Sequence, residues 1–310
     1  MRVIFMGFRG WGLPALEAAC DHHEVGAIVT HPEDIEPYNV AFSESVQEFG
    51  ASRGIRTFVS RNALEDQIRA TVKACKPDII LSSNWRRRID PDFLRLARFG
   101  GLNVHRSLLP KYAGFAPVNW AVDRGESVTG VTLHSMADGI DAGDIVGQES
   151  LEITGDDTAT TVFHKMTPIV RRLVKLALDE IESGTTTRIA QDPNRIEYFP
   201  KRTERDLRIN WEHSRVRVLN LIRAQSDPFP PAITSWNGKK IYIKRAVLAD
   251  RCFRGTPGRI VEISPSGIIV LCGESDGTGG QGLLVTSVSS DNFAPVNPNQ
   301  IIRSTTEYFG

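Results

Sequence analysis

Along the first half of the chain, short apolar runs alternate with stretches of helical spacing. Residues 2–6 form an apolar run closed by Gly7, which predicts a buried strand, and residues 24–30 (EVGAIVT) predict a second. Residues 57–59, 78–81 and 101–104 read as further strands. Between them, residues 13–20, 43–52 and 63–75 carry helical patterns, the last with Leu64, Ile68, Val72 and Ala74 near helical spacing. Such alternation predicts a parallel sheet with helices on both faces and right-handed crossovers. Residues 128–134 and 145–153 read as two more strands, and residues 157–182 as a long helix closed by Gly184.

The texture then changes. Residues 185–211 are polar, irregular and rich in Arg, like a linker crossing a surface. A helix over 214–225 precedes short β-rich runs at 233–236, 240–248, 258–263, 268–271 and 283–288. Five short strands with Gly and Pro turns predict a small barrel of the oligonucleotide-binding (OB) type. The pattern therefore predicts an α/β domain at 1–184, a linker at 185–204 and a β-barrel domain at 205–310.

Composition narrows the functional classes. The 310 residues carry 37 Lys+Arg against 37 Asp+Glu, so the chain has no overall basic character for wrapping nucleic acid. Hydrophobic residues at 41% and charged residues at 24% are globular values, and a chain this long buries roughly three quarters of its unfolded surface. Cys20, Cys75, Cys252 and Cys272 form no Cys-x-x-Cys pair, which argues against disulfide scaffolds and thiolate zinc sites and suits a cytoplasmic address. No apolar run is long enough to span a membrane, and the first residues lack a signal-peptide core. Gly7, Gly10 and Gly12 have the spacing of a tight turn rather than of a dinucleotide loop, and no phosphate-loop motif occurs. Neither His22–His23–Glu24 nor any other cluster supports a metal site.

Candidate chemistry concentrates in residues 100–146. Asn103 and His105 flank Val104 on one face of a strand, at the carboxyl end where ligands bind in open α/β sheets. An amide and an imidazole there supply a fixed donor for a developing oxyanion and a group that titrates near neutrality, the needs of acyl transfer to an amine. A core Asn and His satisfied by neighbouring backbone fits that pair equally well. Asp141 changes the balance: it lies in the loop DGIDAGD between two strands, where a carboxylate could orient the imidazole.

The ordered string Asn103-x-His105, Ser107–Leu108–Leu109–Pro110, and Asp141 before Gly143 resembles the hallmark of the folate-dependent formyltransferase family. The segments FPKRTERDLRINW and IRAQSDPFPPAIT resemble that family's interdomain segment and helix–strand entry, so the likeness runs through most of the chain. The resemblance implies a Rossmann-like catalytic domain joined to an OB-like barrel, with 10-formyltetrahydrofolate as co-substrate and no metal. It implies Asn103, His105 and Asp141 as the catalytic trio. The pterin would lie against two loops, touching Asn84, Trp85, Arg88, Ile89, Asp138 and Ile140, while Ser107, Leu108 and Tyr112 would face the acceptor. Asn103 would then donate to the oxyanion, and His105 would either accept the amine proton or, as imidazolium, hold the oxyanion.

One departure bears on the acceptor. Family members commonly read KYRG where this chain reads Lys111–Tyr112–Ala113–Gly114, so a guanidinium near the site is missing. The AGF form, with SNWR and RAQSDPFP, looks more like formyltransferases of siderophore assembly, which act on N5-hydroxyornithine. A small-molecule amine is therefore the expected partner, with a nucleotide-linked aminosugar as the alternative and methionyl-tRNA as the second. Residues 31–50 hold four Glu and one Asp but no Lys or Arg, and from 205 onward 13 Lys/Arg stand against 9 Asp/Glu. That surface suits neither an acceptor stem nor other nucleic acid. Arg86–Arg87–Arg88 fits a solvated loop or a contact to the folate glutamate tail. A homodimer is compatible with all of this.

Overall fold

In chain order, β1 (Arg2–Gly7) feeds α1 (Arg9–His22), and β2 (Glu24–Thr30) is followed by α2 (Val46–Ser52). Next come β3 (Thr57–Val59), α3 (Asp66–Cys75), β4 (Ile79–Ser83), the single turn α4 (Pro91–Leu94) and β5 (Gly101–His105). β6 (Ala113–Gly114), α5 (Pro117–Arg124), β7 (Val128–Ser135), β8 (Ile145–Glu152), α6 (Ala159–Ser183) and β9 (Tyr198–Phe199) complete this part. The computed structural model describes residues 1–32, 44–62, 65–273 and 280–310. Most of the acidic stretch 31–50 and the start of the helix expected at 63–75 thus lie outside the described residues. The chain divides into two units: Met1–Pro117, Val128–Glu152 and Phe163–Pro200 form one, and Val118–Ser127, Ile153–Val162 and Lys201–Gly310 the other.

The first unit holds a seven-stranded sheet in the order β3-β2-β1-β4-β5-β7-β8. β3, β2, β1, β4 and β5 are parallel, as the strand–helix alternation predicts. β7 and β8 extend the sheet in antiparallel fashion, because the link between them is a loop without a crossover helix. Val3, Ile4, Phe5 and Met6 are fully buried, the signature of a strand covered on both faces. Gly7 and Gly12 serve close packing: a Cβ on either would stand 2.6 or 3.0 Å from the Ser83 carbonyl oxygen, so the first turn of α1 lies against the end of β4. The long α6 ends where Gly184 takes a left-handed φ of 72°, as its position predicts.

The second unit is antiparallel. α7 (Glu204–Leu207) and α8 (Arg215–Ala224) precede β10 (Ala232–Trp236), β11 (Lys239–Leu248), β12 (Ile260–Ser264), β13 (Gly267–Leu271), β14 (Gly282–Ser290) and β15 (Phe293–Val296). The order is β10-β11-β14-β13-β12, with β15 on β14. Ser214 caps α8 by accepting from the Arg217 amide at 3.3 Å. Residues 307–310 then bond to both outer strands: Phe309 bridges Trp236 at the end of β10, and Tyr308 bridges Arg259 beside β12. The two edges are thereby laced together through residues 307–310. Asp123, 2% exposed at its side chain, is held by Arg202 at 2.9 Å and Arg217 at 2.6 Å, which ties the 118–127 piece to this unit. No helix among the described residues is long and apolar enough to cross a membrane.

Phe309 is 3% exposed and stands 5.7 Å from Trp211 in the core that the lacing closes. Phe309→Ala is expected to destabilise the protein by about 3–5 kcal/mol. Urea unfolding would measure the loss, and a change below about 1 kcal/mol would show that the lacing carries little of the stability.

Candidate active site

Period-two geometry places Asn103 and His105 on the same face of β5, and the sheet register sets Asn103 opposite His134 of β7. The loop from β7 to β8 then brings Asp141 over this pair. Its backbone is left-handed (φ 49°), which Asp tolerates better than most residues. Gly143 is required at the loop's end, since a Cβ there would stand 1.8 Å from the Ser135 carbonyl oxygen. Gln191 clamps the loop from outside the sheet, donating to the Asp141 carbonyl at 2.8 Å and the Gly143 carbonyl at 2.7 Å. The stretch read as a linker therefore shapes this site. Its next part, β9, pairs with β6 and positions the Gly114 amide.

The three sequence-predicted residues come together with a fourth. Asp141 Oδ2 lies 3.4 Å from His105 Nδ1 and accepts from the Gly114 amide at 2.8 Å. Its Oδ1 lies 3.4 Å from His134 Nε2 and 3.5 Å from Asn103 Nδ2. Burial alone would raise the Asp141 carboxyl, but His105, His134 and the Gly114 amide together outweigh it and hold it below the usual carboxylate range. The carboxylate is ionised. Burial is also the largest influence on His105 and lowers its pKa against the opposing pull of Asp141, so the ring is neutral near pH 7.

The tautomer follows from the partners. His105 Nε2 lies 2.8 Å from the Tyr112 carbonyl, which can only accept, so Nε2 carries the proton and Nδ1 presents its lone pair beside Asp141. Protonation at Nδ1 would turn that contact between two acceptors into a charge-assisted hydrogen bond. By the same logic His134 Nδ1 donates to the Ser135 carbonyl at 2.9 Å, leaving Nε2 to accept from Asn103 Nδ2 at 3.2 Å. His134 thus fixes which way the Asn103 amide faces. Sequence reasoning missed it because VTLH reads as an ordinary strand. The one available signal was its place at the carboxyl end of β7, antiparallel to Asn103.

The other expected contacts divide. Arg88 of the loop after β4 lies 4.0 Å from Asp138, so the two proposed folate loops meet. Asp138 and Ile140 are exposed, whereas Ile89 and Trp85 pack against the sheet's core. Trp85 stacks on His31 at 3.8 Å, and its indole nitrogen is buried with no hydrogen-bond partner among the described residues. Asn84 takes a left-handed φ of 60° and donates to the Phe8 carbonyl at 3.0 Å. Ser107 is fully buried and its hydroxyl donates to the Lys111 carbonyl, so it shapes the turn that carries Tyr112. Tyr112 is buried against Phe199 at 4.6 Å and offers the site its carbonyl rather than its ring. Leu108 lies over Gly130 of β7, where an added Cβ would meet it at 2.4 Å. Among the described residues no cluster of His, Cys, Asp or Glu could hold a metal ion.

Residues 13–173 match the family model described as formyl transferase, and residues 201–306 match its C-terminal domain. Among solved structures, WlaRD, a sugar 3N-formyl transferase crystallised with dTDP and 5-N-formyl-THF, is 19% identical with a TM-score of 0.68, covering 92% of this chain and 97% of that one. An N-formyltransferase from Helicobacter canadensis, in complex with folinic acid and dTDP-3-aminofucose, is 20% identical with a TM-score of 0.67, covering 92% and 98%. HypX from Aquifex aeolicus in complex with tetrahydrofolic acid is 19% identical with a TM-score of 0.66, and the chain spans 97% of its own length but 46% of HypX.

If His134 orients Asn103, His134→Ala should lower kcat by roughly tenfold, the worth of one ordinary hydrogen bond, while KM for the formyl donor and the thermal midpoint stay near wild type. An unchanged kcat, or a collapse of the thermal midpoint with it, would contradict that role.

Proposed function

The chain belongs to the formyl transferase family and is a formyl-transferring enzyme, and we propose that it moves the formyl group of 10-formyltetrahydrofolate to the amine of a small molecule, N5-hydroxyornithine foremost. The observation that carries this reading is the Asp141 carboxylate set between His105 and His134, beside the Asn103 amide. The residues around it fit a pterin. Trp85 brings a buried indole N–H without a partner among the described residues, and Arg88 and Asp138 draw together the loops that also carry Asn84, Ile89 and the exposed Ile140.

When bound, the donor supplies a formyl carbon on a nitrogen that can leave. As the acceptor amine adds to that carbon, Asn103 Nδ2 donates to the oxygen that gains negative charge. His105 Nδ1 takes the amine proton, and the adjacent Asp141 carboxylate stabilises the resulting imidazolium. The same proton is delivered to the departing folate nitrogen. One N–C bond forms and one breaks, with no net proton gain. Hydroxyornithine suits this site because a hydroxylamine nitrogen is far less basic than an alkyl ammonium and reaches His105 already as the free nucleophile.

A nucleotide-linked aminosugar is the second reading. It is favoured by the WlaRD and Helicobacter canadensis structures, whose descriptions name a sugar 3N-formyl transferase and a bound dTDP-3-aminofucose. Methionyl-tRNA ranks third, since the surplus of basic residues from 205 onward is small.

Purified protein should release tetrahydrofolate from 10-formyltetrahydrofolate when given an amine, with kcat/KM highest for N5-hydroxyornithine in a panel holding an aminosugar nucleotide and charged initiator tRNA. A higher value for the aminosugar nucleotide would reverse the ranking, and no release with any amine would overturn the donor assignment. Asn103→Ala should cost ~10²–10³ in kcat. Combining it with His105→Ala or Asp141→Ala should add far less than the single losses multiply to, because the groups act on one transition state.

A further inference from the structure

Arg106 follows His105 directly, yet its side chain is turned away from the trio and buried, 8% exposed. Its guanidinium donates to the Trp11 carbonyl, its one acceptor among the described residues, and lies 5.7 Å from the Phe163 ring centroid. Trp11 and Phe163 stack at 4.2 Å, so the cation is walled by aromatic surface. Burial is the sole influence on its pKa and pushes it down to about 10, with no carboxylate among the described residues raising it. The group is charged at neutral pH. Buried charges are paired as a rule, because an uncompensated ion away from water is costly. A guanidinium left with one carbonyl partner has most of its donor fork unused.

Its place in the fold suggests what uses the fork. The strand order β3-β2-β1-β4-β5 reverses between β1 and β4, and open α/β sheets bind ligands beyond the carboxyl ends of the strands at such a reversal. The carboxyl ends of those two strands meet there: Ser83 Oγ donates to the Trp11 carbonyl at 3.3 Å and the Asn84 side-chain amide to the Phe8 carbonyl at 3.0 Å. Arg106 reaches the same Trp11 carbonyl from the end of β5. Resting on the formyl-transfer reading, we propose that Arg106 is the specificity-determining residue that receives an anionic group of the acceptor, a carboxylate or a phosphate. A planar fork matches either anion. The amine at the trio and the anion at Arg106 must then lie several bonds apart. Both the hydroxyornithine carboxylate and the phosphate of an aminosugar nucleotide meet that condition. Arg106 supplies the cation that the loss of Arg at position 113 removes.

Arg106→Met and Arg106→Lys test this. Without ligand, Arg106→Met should keep or raise the thermal midpoint, since it removes an unpaired buried charge. With N5-hydroxyornithine, or with the aminosugar nucleotide if that is the acceptor, its KM should rise roughly tenfold or more. The corresponding carboxamide or phosphate-free aminosugar should show equal KM in wild type and variant. KM for 10-formyltetrahydrofolate should stay unchanged, and Arg106→Lys should recover part of the loss. Independently of turnover, inorganic phosphate should raise the wild-type thermal midpoint above a chloride control of equal ionic strength, and Arg106→Met should abolish the increment. If the wild type releases no tetrahydrofolate with any amine, the formyl-transfer reading fails, while the phosphate arm still decides whether Arg106 binds an anion. Equal KM losses for charged and neutral acceptors, a change confined to the folate KM, an absent or undiminished phosphate increment, or collapse of both variants' stability would each overturn the proposal.

Discussion

The Asp141 carboxylate is the group on which the geometry of the candidate site turns. Its side chain is 12% exposed, yet it is ionised: the Gly114 amide donates to it, the Asn103 amide lies beside it, and the two neighbouring imidazoles, when charged, pull its carboxyl down. A charge so placed is stable only while those partners hold position. The sheet delivers His105 and His134 from neighbouring antiparallel strands, the β6–β9 pair delivers the Gly114 amide, and Gln191 holds the loop itself. The carboxylate in turn gives His105 a reason to take a proton that burial would otherwise deny it.

That balance explains why the site stands at the end of a buried sheet. Burial keeps His105 neutral at rest, so in the proposed mechanism it is available as a base, while Asp141 would make its charged form tolerable. Fixed amide and imidazole dipoles need no reorganisation as charge develops, which is the general advantage of a preorganised site. His134 extends the arrangement to the amide of Asn103, so Asn103 and His105 share the Asp141 carboxylate as one anchor.

Much of this was legible in the sequence. The apolar runs marked β1, β2, β4 and β5 because strands covered on both faces are continuously apolar, and period two put Asn103 and His105 on one side. The trio became readable through its ordered string and the family resemblance that string carries. What stayed hidden depends on long-range contact. His134 and Gln191 act through pairings across 31 and 50 residues, which no local pattern encodes. Arg106 carries no sequence signal of its own, and its burial against Trp11 and Phe163 comes from contacts across 95 and more than 50 residues. β15 (FAPV) is short and carries a Pro, and residues 307–310 (EYFG) are shorter than a readable strand, so their pairing with β14 and with the outer strands is set by long-range contact.

The account's central claim is that His105 rests neutral, with its proton on Nε2 and its Nδ1 lone pair beside an ionised Asp141. Nitrogen NMR of histidine-labelled protein, with His105 assigned by substitution, tests this most directly. The account predicts a neutral Nε2–H ring at pH 7 that gains its second proton at Nδ1 only below its ordinary value of 6.5. A ring already charged at pH 7, or a neutral ring with its proton on Nδ1, would contradict it.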